Sequence, residues 1–159
     1  MKQFIFSFLL LAGGIAASAQ GEKFQENNDP YLKRQADSLK QVFAKDGFIV
    51  VKESSMNMES EYELPVIVPL TGGSWYQIVF IGEPTSKLYE VRMFDWSEKQ
   101  VAYQKKMWGD VDGNIISFSY IPKFSEYHMI RPVQVNKKKK KNLPGYIMLF
   151  RKTGAPEKQ

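Results

Sequence analysis

The sequence predicts a mainly β chain: a single antiparallel β-sandwich of about eight strands preceded by one amphipathic helix. Three observations carry this. After Gly47 the chain breaks into short runs rich in β-branched and aromatic residues, separated by Gly, Pro, Asn and Asp clusters at the spacing of a two-sheet sandwich. One segment alone has a helical apolar period, and it precedes the strands, so nothing remains to form the crossover helices of a parallel sheet. There is no Cys, while aromatic residues make up 14% of the chain. Large apolar side chains, not disulfides, must hold the fold together.

The elements follow in order. Residues 1–19 carry Lys2, an apolar run from Phe4 to Ala12 and small residues ending in Ala17-Ser18-Ala19, the three parts of a secretory signal with cleavage expected after Ala19. Gly13, Gly14 and Ser18 interrupt the apolar stretch, which falls short of the roughly 20 residues a spanning helix needs, and no basic stop-transfer cluster follows. The A-x-A site placed directly before Gln20 resembles the signal peptides common in Bacteroidota. That resemblance implies export into a Gram-negative envelope: the periplasm, the outer-membrane surface or the medium.

Residues 20–28 read as a polar flexible leader. Asp29-Pro30 supplies an N-cap and a first-turn Pro, and Leu32, Ala36, Leu39 and Phe43 recur at helical spacing until Lys45-Asp46-Gly47 closes the segment, so a helix is expected within 29–46. The sandwich is expected over 47–153, with a polar tail at 154–159. Its strands are read at Phe48–Lys52, within Glu61–Leu70 where Pro65 and Pro69 suit an edge or a bend, and at Trp75–Ile81, with Trp75 expected in the core. Alternating strands follow at Leu88–Trp96, Val101–Trp108 (an exposed edge, from its Gln-Lys-Lys centre) and Ile115–Ile121. Glu126–Val135 and Gly145–Lys152 complete the series.

Several of these strands also match in order. Gly73-Ser74-Trp75-Tyr76-Gln77-Ile78-Val79-Phe80, then Leu88 to Asp95, then Ile116 to Pro122 with Ser125-Glu126-Tyr127, then Gly145 to Phe150 resembles the bacterial pre-peptidase C-terminal-like (PPC-like) domains. The resemblance spans about residues 60 to 152 and implies a secreted jelly-roll-like sandwich, without carrying over the accessory role such modules play elsewhere. Two features depart from the pattern. Phe94-Asp95 leads into Trp96-Ser97-Glu98-Lys99 rather than Asn-Gly, which implies a longer hairpin, and the lysine run at 137–141 has no counterpart.

The net charge of +5 is local. Lys2 leaves with the signal, and five of the remaining positive charges are the run Lys137, Lys138, Lys139, Lys140 and Lys141, so the rest of the domain is close to neutral. Lysines confined to one loop argue against a nucleic-acid partner, which would need basic residues spread over a face among stacking aromatics. The run is expected to form a solvated loop, with peripheral contact to an anionic surface or partner as its functional reading.

Catalytic chemistry finds little support. The one His, His128, sits on a strand and is expected at the surface or half-buried, with no nucleophile motif beside it. Thiolate chemistry is absent with Cys. Glu59, Glu61, Glu63, Asp95, Glu98, Asp110 and Asp112 provide carboxylates without a motif, leaving a small carboxylate-based hydrolase as an alternative. Asp110-Val111-Asp112-Gly113-Asn114 has the acid spacing that opens a calcium loop, but an EF-hand would need Gly and Glu where Ile115 and Ile121 stand. Calcium at Asp110, Asp112 and Asn114 therefore depends on ligands from another loop; no other cofactor is implied. Trp96 and Trp108, at strand ends beside turns, are the candidate aromatic contacts.

The sequence thus points to an exported, non-enzymatic module that binds an envelope or extracellular partner, protein or glycan. The remaining alternative is a component of a surface or secretion assembly in which the helix packs on a neighbour.

Overall fold

The computed structural model describes residues 29–111 and 113–154. The expected signal peptide (1–19), the leader (20–28), Asp112 and the tail from 155 onward lie outside the described residues.

Helix α1 (Pro30–Lys45) starts where Asp29 Oδ1 accepts hydrogen bonds from the amides of Tyr31 and Leu32, at 2.8 and 3.1 Å. It ends at Gly47, whose φ of +79° is a left-handed conformation that a side chain would strain. Leu32 and Ala36 are buried against Val79, Ile81, Met148 and Phe150 of a sheet in the same chain. The helix therefore has its buried apolar stripe covered by its own domain.

Eight strands follow: β1 (Phe48–Met58), β2 (Val66–Leu70), β3 (Tyr76–Gly82), β4 (Leu88–Phe94), β5 (Gln100–Met107), β6 (Ile115–Tyr120), β7 (Glu126–Val135) and β8 (Leu143–Lys152). They form two antiparallel sheets, ordered β1-β8-β3-β6 and β2-β7-β4-β5. Every connection except β4–β5 crosses from one sheet to the other. This is the winding of a jelly roll. It gathers the connections 59–65, 83–87, 108–114 and 136–142 at one end and 71–75, 95–99 and 121–125 at the other.

Strand β1 runs six residues beyond the expected Lys52. Its second half, Glu53 to Met58, is too polar to read as strand, yet it forms a continuous ladder with β8 from Lys52↔Leu149 to Met58↔Leu143. Pairing to a central strand overrides weak intrinsic propensity. Val51 has no partner in that ladder and forms a bulge between Val50 and Lys52. The prolines act as expected: β2, with Pro69, is an edge strand.

The main core lies between the sheets, with Ile78, Phe80, Val91, Met93 and Ile130 fully buried. Two positions depart from the sequence reading. Trp75 lies outside β3 and is 41% exposed, because Tyr76 takes the inward phase and leaves its neighbour pointing out; the indole packs on Phe48 and lies 4.5 Å under Lys152 Nζ. His128 is 1% exposed rather than superficial, being in phase with Ile130. Its ring nitrogens are matched by the Tyr120 hydroxyl at 3.2 Å and the Glu126 carbonyl at 3.3 Å.

The sheets approach closely at the 83–87 end. A Cβ on Gly82 would meet the Tyr89 ring at 2.6 Å, and that ring cannot retreat because its hydroxyl donates to the Glu83 carbonyl at 2.6 Å and the Ser86 carbonyl at 3.1 Å. Gly82→Ala should therefore cost about 1–3 kcal/mol, read as a lower midpoint in urea unfolding. Burial, and secondly the charge of Glu83, push the Tyr89 hydroxyl up to about 12. A pKa raised on folding means the unfolded chain ionises first, so stability is intact below pH 10 and declines between pH 10 and about 12. The loss should reach about 2 to 3 kcal/mol, and Tyr89→Phe should flatten that alkaline limb.

Candidate functional site

The two sheets are sealed at one end and parted at the other. At the sealed end, buried Gln134 and Asn136 tie three connections and the start of β8 together. Gln134 Oε1 accepts from the Glu83 amide at 2.9 Å and Ser86 Oγ at 3.1 Å, while its Nε2 donates to the Pro144 carbonyl at 3.1 Å. Asn136 exchanges backbone bonds with Ser60 Oγ, and its Oδ1 accepts from the amides of Lys138 and Lys139, both at 3.0 Å. Among the described residues no buried side-chain nitrogen or oxygen lacks a partner.

The lysine run therefore starts from a fixed base and projects exposed side chains. Lys139, Lys140 and Lys141 stand 3.6–3.7 Å from Glu83, Glu61 and Glu59, the last two being carboxylates of the hydrolase alternative. Lys137 and Lys138 pair with no carboxylate among the described residues. Neighbouring connections at this end present Tyr62, Trp108 and Val111, exposed by 68, 72 and 84%.

The 110–114 segment lies at the same end. Asp110 Oδ2 accepts from the Met107 amide at 2.7 Å, closing the turn after β5. Asn114 exchanges two hydrogen bonds with Gln35 of α1, at 2.9 and 3.2 Å, and donates to the Gly82 carbonyl at 3.0 Å. A cation there would compete with these bonds. Among the described residues no cluster of three or more His, Cys, Asp or Glu is placed to hold a metal.

At the parted end a groove of about 600 Å3 opens between edge strands β1 and β2. Its apolar lining is Val51, Pro69, Leu70 and Leu149, and its polar lining includes Thr71, Ser125, Glu126, Lys52 and Arg151. The alternation of β8 sets Arg151 here: Ile147 and Leu149 face the inter-sheet core, Met148 and Phe150 face the helix, and Arg151 continues the inward row. On β1 the inward row runs Met58, Met56, Ser54, Lys52 in register with β8. Lys52 Nζ donates to the Ile67 carbonyl of β2 at 3.0 Å, bridging the two edges. The Tyr76 hydroxyl on the groove floor accepts a hydrogen bond from the Thr71 amide at 2.9 Å.

Tyr127 borders the groove and is 53% exposed; its ring centroid lies 5.8 Å from that of Trp96, tilted by 50°. Trp96 is 66% exposed because Asp95 Oδ1 binds the amides of Ser97 and Lys99 and turns the chain sharply around it. Of the two candidate tryptophans, Trp96 packs on Tyr127 at the groove's border. Trp108 follows the far end of β5, roughly 25–30 Å along the strand direction. Beside the ring pair, the outer face of the β2-β7-β4-β5 sheet holds an ionic network: Glu63 binds Arg92 at 3.0 Å and Arg131 at 3.4 Å, Glu90 binds Arg92 at 2.9 Å, and Arg131 lies 4.6 Å over Phe94.

Sequence reasoning missed Lys52, Glu126, Tyr127 and Arg151. The available signal was phase: Arg151 continues the inward period of Ile147 and Leu149, where a core residue would be expected.

The fold and site define a jelly-roll β-sandwich with an inter-sheet groove at one end. No family model and no curated sequence matches the chain. Among solved structures it is similar to the lectin domain of lectinolysin complexed with Lewis B antigen, at 15% identity over 65% of this chain and 72% of that one, with a TM-score of 0.38. It is also similar to an arabinose-bound α-L-arabinofuranosidase (10% identity, 70% and 24% coverage, TM-score 0.37). A third is a Clostridium thermocellum xylanase 10B fragment complexed with xylohexaose (13%, 69% and 26%, TM-score 0.35). Likeness at this level says nothing about a ligand. The PPC-like resemblance holds at the level of the β-sandwich fold. Among the described residues no helix is long and apolar enough to cross a membrane.

Asn136→Ala would strand the Lys138 and Lys139 amides and remove the side-chain amide's bond to Thr85 Oγ1. It should lower stability by about 2–3 kcal/mol in urea unfolding, whereas Lys138→Ala should change it by less than about 0.5 kcal/mol.

Proposed function

We propose that this chain is an exported, non-enzymatic binding module that holds a glycan in the groove between β1 and β2. The observation that carries the reading is the juxtaposition of an apolar-floored groove, rimmed by hydroxyl and charged groups, with the exposed Tyr127–Trp96 ring pair. A sugar ring has apolar C–H faces and a polar rim of hydroxyls. Aromatic rings complement the faces, and Thr71, Ser125 and Glu126 offer donors and acceptors to the rim. A protein partner, the other reading from the sequence, would be served better by a broader apolar surface.

The non-enzymatic reading is supported by the positions of the acids. Glu63 is held by two arginines, Asp95 and Asp110 bind backbone amides, and Glu59 and Glu61 face lysines. Glu126 is the carboxylate that lines the groove, and hydrolysis of a glycoside requires two.

A screen of the secreted chain against oligosaccharides by thermal melting, followed by calorimetry on the best ligand, tests the proposal. Trp96→Ala and Tyr127→Ala should each weaken binding by roughly tenfold while leaving the melting temperature of the free protein within about 2 °C. Binding that survives both substitutions unchanged would sink the groove as the site.

A second reading concerns the opposite end. Lys137 to Lys141, beside exposed Tyr62, Trp108 and Val111, combine cations with apolar tips, the pairing that favours peripheral contact with an anionic bilayer. Co-sedimentation with vesicles containing phosphatidylglycerol should exceed that with phosphatidylcholine alone and fall in 0.5 M salt, on the order of tenfold. Equal recovery with both lipids would count against it.

A further inference from the structure

We infer that the groove selects a sugar bearing a carboxylate, which Arg151 and Lys52 would hold; this rests on the glycan reading and specifies its ligand. The starting point is an anomaly in the inward rows of β1 and β8. From the sealed end these rows read Met58 and Met56 against Leu143 and Gly145, then Ser54 against Ile147, then Lys52 against Leu149, with Arg151 the next inward residue on β8. Positions that elsewhere fill the core are here cationic, and the sheets part around them.

The arginines of the other sheet show what is missing. Arg92 and Arg131 are each matched to Glu63, and Arg92 also to Glu90. Arg151 is partly buried and lines the groove, and its guanidinium has neither a hydrogen bond nor an ion pair to any described residue. A half-desolvated guanidinium without an acceptor is a costly arrangement unless a ligand supplies one. Lys52 uses one of its three donors on the Ile67 carbonyl and keeps two.

Charge points the same way. Two cations and one carboxylate, Glu126, line the groove, and Glu126 Oε1 is directed toward the His128 ring at 3.8 Å. The groove therefore carries a net positive charge against an otherwise apolar floor. A planar guanidinium offers the two parallel N–H donors that fit a carboxylate, and an adjacent ammonium adds a point charge. The neighbouring Tyr127–Trp96 rings then lie where the pyranose of the same residue, or the next one along, would stack.

The experiment is calorimetric titration of the secreted chain with three ligands of one backbone: an oligouronate, its methyl ester, and the neutral oligosaccharide of the same linkage. The oligouronate is expected to bind at least roughly tenfold more tightly than the other two, with an affinity that falls as salt rises. Arg151→Gln should remove that preference while retaining the weak binding of the ester, and Lys52→Gln should reduce it; Arg151→Lys should restore part of it. Melting curves of each variant confirm folding. Equal binding of all three ligands, with Arg151→Gln unchanged, would overturn the selection for an acid and leave the glycan reading standing. Binding by none of a broad glycan panel would overturn both.

Discussion

The structure depends on the period-two alternation of β1 and β8, two paired strands whose inward rows change character along their length. At one end those rows are Met56, Met58, Leu143 and Ile147, and the sheets close on them. At the other they are Lys52 and Arg151, which cannot be packed dry, so the sheets remain apart. The position of the groove follows from this change, with the 71–75 and 121–125 connections adding Thr71 and Ser125 to its rim.

Sealing one end requires more than apolar contact. The polypeptide must turn four times there, and each turn brings amides and carbonyls that need partners. Gln134 and Asn136, both on or just after β7, reach across to Glu83, Ser86, Ser60 and Pro144 and satisfy them from within. The lysine run can be fully solvated because its base is fixed this way. Five adjacent cations would otherwise favour an open, self-repelling loop. The glutamates facing three of them lower that repulsion, although exposed pairs at 3.6–3.7 Å contribute little to stability.

Helix α1 has a complementary role. It covers the outer face of the β1-β8-β3-β6 sheet with Leu32 and Ala36, so that sheet is buried on both faces and its strands β3 and β8 are apolar in nearly every position. The other sheet is covered on one face alone, and its strands alternate; β4 is the clearest case. The uncovered face carries the Glu63–Arg92–Arg131 network and, at its end, the Tyr127–Trp96 pair. The helix thus decides which sheet is free to meet a partner.

By itself the sequence determined the fold class, the helix from Pro30 to Lys45, the edge character of β2 and β5 and the exposure of Trp96, Trp108 and the lysines. These are local properties, set by apolar period, capping residues and prolines, and they can be read without knowing what lies across the sheet. Tertiary structure decided the rest. The second half of β1 is a strand only because β8 pairs with it; Trp75 is exposed and His128 buried because of the phase their strands adopt. The groove joins Lys52, Arg151 and Tyr127, with Trp96 packed on the last, residues from three strands and a turn that the jelly-roll winding alone brings together. Such a site depends on which strands become neighbours, and strand neighbours in a jelly roll are far apart in the chain.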